Sequence, residues 1–157
     1  MKKGQSLIEA LVALGAAVVV VSAITITVMS SLNNVEFSRD QNLATQYAQQ
    51  GIEFMRQVSQ SNWTLFSSYA ASRYCLAQNA SAITPINPAT NTCGQNYGNF
   101  IREIDIEQNS NSCSGNVKVT VNVSWSDGKC TDVNNKFCHN VILHSCLSNT
   151  SSNIQVP

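Results

Sequence analysis

Three hydrophobic periods follow one another along this 157-residue chain, and each predicts a different element. From Ala10 to about Leu32 the side chains are apolar almost without a break. That is about 23 residues, or roughly 35 Å as a helix, enough to cross a hydrocarbon layer of about 30 Å. Ser22, Thr25 and Thr27 do not spoil the run, because a hydroxyl can bond back to a helix carbonyl. Beyond it the period becomes helical and one-sided. Leu43, Ala44, Tyr47, Ala48, Ile52, Met55 and Val58 form a stripe, while Gln46, Gln49, Gln50, Glu53 and Arg56 fill the other face. No proline precedes Pro85, so a single helix from Leu7 to about Ser59, roughly 80 Å long, is allowed. Gly15, the β-branched run Val18 to Val21, and Gly51 are its weak points.

From Asn62 to Gly98 no period is sustained. Ser67-Ser68, Asn79-Ala80-Ser81, Pro85, Pro88 and the stretch from Asn91 to Gly94 punctuate a surface loop, with a short helix expected over Ala70 to Gln78. A loop this long within a compact domain should be functional or pinned. From Asn99 the period is two. Phe100, Arg102, Ile104 and Ile106 share one strand face, and Ile101, Glu103, Asp105 and Glu107 the other. Val117, Val119, Val121, Val123 and Trp125 alternate with Lys118, Thr120, Asn122 and Ser124 in a second strand, and Val141 to Leu147 make a third. Adjacent strands with short connections tend to pair, so the expected arrangement is an antiparallel meander laid over the helix stripe. The three acidic residues of the first strand read as a solvated face opposite Lys118 rather than as a catalytic cluster.

Charge narrows the class. Nine basic and nine acidic side chains cancel, which leaves no basic surface for nucleic acid. Charged residues are sparse, so solubility outside the apolar run rests on Ser, Asn, Thr and Gln. The length suits one small domain beyond the apolar segment. Two of the basic residues, Lys2 and Lys3, stand directly before that segment and orient it with the N-terminus cytoplasmic and the remainder exported.

Between those lysines and the apolar run lie Gly4-Gln5-Ser6-Leu7-Ile8-Glu9. A carboxylate at the mouth of a membrane helix is costly, and is a functional residue by default. No Ala-x-Ala cleavage site ends the run, so the hydrophobic segment is expected to be retained. Basic residues, a glycine, a spaced glutamate and an unbroken apolar helix together resemble the class III leader of the type IV pilin and type II secretion pseudopilin superfamily. The resemblance covers about the first 35 residues. It implies cleavage by a prepilin peptidase between Gly4 and Gln5 and N-methylation of the new terminus, although Gln5 stands where many members carry Phe or Met. It further implies that Glu9, fifth in the mature chain, pairs with the terminal amine of a neighbouring subunit in a filament.

Six cysteines in a small exported domain predict an oxidising compartment and a disulfide framework, for which sequence alone leaves fifteen pairings. The expected strand order brings Cys113 near Cys146, puts Cys130 and Cys138 in one connecting loop, and leaves Cys75 for Cys93. A rival metal site would draw on Cys130, Cys138, His139, His144 and Cys146, but the spacing fits no standard zinc pattern. No Gly-rich phosphate loop, nucleophile elbow or acid–base constellation occurs, so neither enzymatic activity nor a cofactor is expected.

The expected fold class is therefore α+β and pilin-like: leader 1–4, membrane or filament-core helix 5–32, amphipathic helix 33–60, connecting loop 61–98, and a disulfide-stapled sheet 99–157. The resemblance implies a structural subunit that waits in the cytoplasmic membrane and then joins copies of itself and other pilins in an extracellular filament. A minor pilin or pseudopilin at a filament tip, and a membrane-anchored adhesive module that never polymerises, are the alternatives.

Overall fold

The computed structural model describes residues 3–89, 91–113, 116–127 and 139–149. Its elements in chain order are α1 (Lys3–Ser61), α2 (Trp63–Ser68), β1 (Arg73–Cys75), β2 (Thr84–Pro85), β3 (Ile101–Glu107), a 3-10 turn (Asn111–Cys113), β4 (Val117–Trp125) and β5 (His139–Leu147). The chain forms two units, Met1–Asp40 and Gln41–Pro157.

The first unit is the N-terminal part of α1. Every residue from Leu7 to Arg39 is exposed, the large apolar ones included. Ser22, Thr25 and Thr27 each donate to the carbonyl four residues earlier, on Val18, Val21 and Ala23, at 2.7, 2.9 and 2.9 Å. The hydroxyl donors are thus satisfied inside the helix.

The second unit packs the remainder of α1 on a five-stranded antiparallel sheet of order β2-β1-β3-β4-β5. It is an α+β arrangement. The register pairs Ile104 with Val121 and Val121 with Leu143, so the odd positions of β4 and the even positions of β3 face the helix. Val119, Val121, Val123 and Ile104 are completely buried there, against Ala44, Ala48 and Met55 of α1. The small residues of the stripe set the spacing. Gly51 is buried, and a Cβ at that position would meet Val121 Cγ1 at 2.9 Å. Gly51 is thus a point of close approach between helix and sheet as well as a position of low helix propensity.

The connecting segment departs from expectation. The expected short helix over 70–78 is absent; β1 occupies its centre, and the helical turn α2 lies earlier, with the Asn62 side chain accepting from the Leu65 N–H at 2.9 Å. A three-residue strand such as β1 is too short to show a period of two, and the capping by Asn62 is a local signal that a loop reading passes over. The segment also supplies core: Phe66, Tyr74, Leu76 and Ile83 are buried. Five strands replace the expected three because β1 and β2 extend the sheet beyond β3. Gly98, at φ +61°, takes the left-handed turn between Tyr97 and Phe100 that leads into β3.

Candidate functional site: an apolar helix with one carboxylate and a clamped head

Gly4 and Gln5 lie in the first turn of α1, and Glu9 follows one turn later. Glu9 is exposed and makes no ion pair with a described residue. The next charged side chain is Glu36, so 26 uncharged residues separate the two carboxylates, about 39 Å of helix. Leu11, Val18, Val21, Ile26 and Leu32, on different sides of this stretch, are each more than half exposed. The helix is long and apolar enough to cross a membrane. Apolar surface of this extent is stable only under cover, which a bilayer or other helices supply.

Two of the three expected disulfides join the described residues. Cys75 bonds Cys93, with Cα atoms 5.4 Å apart, and Cys113 bonds Cys146, at 5.5 Å. The first closes the segment between β1 and β3, and the second ties the turn before β4 to the end of β5. The expected Cys130–Cys138 pair lies outside the described residues. Of the rival metal set, Cys146 is committed to a disulfide, His144 is exposed opposite Thr120, and His139 Nε2 lies 3.1 Å from Asp127 Oδ2 beside the Trp125 ring.

The loop is held by a second device that sequence reasoning missed. Arg102 is buried among the apolar residues of β3 at 4 % exposure and forms no ion pair with a described carboxylate. Its Nε donates to the Leu76 carbonyl at 3.1 Å, Nη2 to that of Ala77 at 3.1 Å, and Nη1 to that of Tyr47 on α1 at 3.3 Å. Its Cζ stands 4.3 Å from the centre of the Tyr97 ring, and the Tyr97 hydroxyl donates to Gln50 Oε1 on α1 at 2.8 Å. Asn96 completes the knot, accepting from the Arg102 N–H at 2.8 Å and donating through Nδ2 to the Arg102 carbonyl at 2.9 Å. A planar fork of five donors can reach three carbonyls on separate segments at once. Burial draws the Arg102 pKa below its ordinary value, opposed by the charge interaction with the Tyr97 phenol group. The available signal was an arginine on the apolar register of an alternating strand.

On the opposite sheet face the three acidic residues divide. Glu107 meets Lys118 at 3.1 Å as expected, and the bond from Lys118 holds its carboxyl below the usual range. Asp105 and Glu103 instead meet Arg73 of β1, at 3.4 and 3.9 Å. Glu103 is not solvated: burial pushes its carboxyl above the usual range, against the pull of Arg73 and the Cys93 N–H. The difference follows from β1, the strand that the sequence pattern did not disclose.

No protein-family model, curated protein or solved structure matches this chain.

Proposed function

We propose that this chain is a structural subunit of the type IV pilin and secretion pseudopilin kind. Prepilin peptidase cleaves it between Gly4 and Gln5, it resides in the cytoplasmic membrane with its head outside, and it polymerises through the apolar helix into an extracellular filament. The observation that carries this reading is the exposed apolar surface of Leu7 to Val35 with one unpaired carboxylate at its start. A plain anchor needs the apolar surface but gains nothing from Glu9, which costs free energy near hydrocarbon. A polymer gives both a use, because neighbouring helices cover the surface and a neighbour's terminal amine neutralises the charge. The head has its own core and disulfides, so it does not depend on the apolar segment for its fold.

The test is filament assembly by Glu9→Ala. Truncating one partner of a buried charge pair costs about 3 to 5 kcal/mol, so filament yield should fall at least tenfold. The membrane pool and the thermal midpoint of the head should hardly change, since the two sites share no partner. Undiminished filaments would reduce Glu9 to an interfacial polar residue. A chain that stays in the membrane with either residue would be the anchored module instead.

A further inference from the structure

The sheet face turned away from the helix contains a recess of about 310 Å³. Its floor spans three strands, with Glu103 on β3, Asn122 and Ser124 on β4 and Asn140 on β5, and Arg73 and Thr92 stand at its rim. The register sets Glu103 directly opposite Asn122 and Ser124 opposite Asn140, so these four side chains share one face.

Two observations separate this recess from an ordinary polar surface. The Oδ1 atom of Asn122 is buried without a hydrogen-bond partner among the described residues, an arrangement that costs stability and that folded proteins mostly avoid. Beside it the Glu103 side chain is only 12 % exposed, accepts from the Cys93 N–H, and has Arg73 as its cationic neighbour among the described residues, at 3.9 Å. Ser124 is buried as well. The chain therefore holds several desolvated acceptors together, and a ligand with donors would satisfy them.

We propose that this recess binds a single neutral sugar unit. The Asn122 and Glu103 oxygens, with those of Ser124 and Asn140, ask for several hydroxyl or amide donors on one small ring. An anionic ligand would face Glu103, and the Arg73 cation at the rim is already shared between Glu103 and Asp105. The volume sits at the lower end of the roughly 300 to 1,000 Å³ typical of small-molecule sites, which suits one ring rather than a chain. No aromatic side chain among the described residues lines the recess, so recognition rests on hydrogen bonds and the affinity is weak.

The experiment is saturation-transfer NMR and calorimetric titration on the full chain in lipid nanodiscs, free of glycoside detergent. The probes are glucose, galactose, N-acetylglucosamine and N-acetylgalactosamine, with N-acetylneuraminic acid as the anionic comparator. At least one neutral sugar should bind saturably, and Asn122→Leu and Glu103→Gln should each weaken it roughly tenfold. Both variants should melt no lower than the parent at neutral pH, because Asn122→Leu removes a desolvated polar group and Glu103→Gln a desolvated charge; if one fails to fold, the other decides. Absence of saturable binding by every neutral sugar, binding unchanged in the folded variants, or preference for the anionic sugar would overturn the proposal. The outcome is independent of whether the chain polymerises.

Discussion

Gly51 of α1 faces Val121 of β4 so closely that a Cβ on residue 51 would lie 2.9 Å from Val121 Cγ1 and 3.3 Å from Cγ2. The obstacle is a β-branched side chain at the centre of the sheet, which cannot swing aside as the end of a long chain would. Replacing a helical glycine by alanine ordinarily gains up to about 1 kcal/mol, whereas overpacking a well-filled core costs about 1 to 3 kcal/mol. Gly51→Ala should therefore destabilise the head by about 1 kcal/mol in urea denaturation, and Gly51→Val by more. Val121→Ala should relieve part of the loss when combined with Gly51→Ala, so that the double variant is more stable than additivity allows. A more stable Gly51→Ala protein would remove the close approach from the account.

Arg102 donates to three carbonyls, of which that of Ala77 also accepts from the Ala80 N–H, that of Tyr47 lies inside α1, and that of Leu76 has no other described donor. Arg102→Leu leaves the Leu76 carbonyl without its donor and removes a second donor from those of Ala77 and Tyr47, and should cost about 2 to 3 kcal/mol. Arg102→Lys should recover only part of this, because an ammonium group lacks the planar fork. Limited proteolysis across residues 76–98 should accelerate in both variants even with Cys75–Cys93 intact. Unchanged cleavage would mean that the disulfide alone holds the segment.

The two shifted carboxylates of β3 act on stability with opposite signs. Glu107 has a depressed folded value, so its contribution is present above the usual glutamate range and lost as pH falls through that depressed value. Its side chain is half exposed, and salt should screen the effect. Glu103 has a raised folded value, so its contribution is complete below the usual range and lost as pH rises through the raised value. Glu103→Gln should flatten that loss and raise the thermal midpoint relative to the parent at about pH 7, with little difference near pH 4. Melting curves across this range measure it, and a Gln variant that loses stability at neutral pH would contradict the assignment of burial as the dominant cause.

Much of the head was legible because its long elements have clean periods. The alternation of Val117 to Trp125, opposed by residues 101–107 and 141–147, specified the β3-β4-β5 meander and, through it, Cys113 beside Cys146. The stripe from Leu43 to Val58 specified the helix face. The elements that escaped are too short for periodicity: β1 and β2 contribute five residues together, and only their pairing with β3 makes them strands. The Arg102 clamp escaped because its acceptors are backbone carbonyls, which carry no residue-type signal. The recess around Asn122 escaped for a related reason, since it depends on β1 and the loop at Thr92 rising beside the outer sheet face. At the N-terminus the reverse holds. The Gly4 to Glu9 pattern is visible in sequence, while the cleavage and assembly proposed for it are events that a single chain does not display.

The central claim is tested most directly by the intact mass of this chain recovered from filaments sheared off the cell surface. The account predicts a chain that begins at Gln5, with or without an added methyl group, in the filament fraction. A chain that still carries Met1 to Gly4, found only in the membrane and never in sheared filaments, would contradict it.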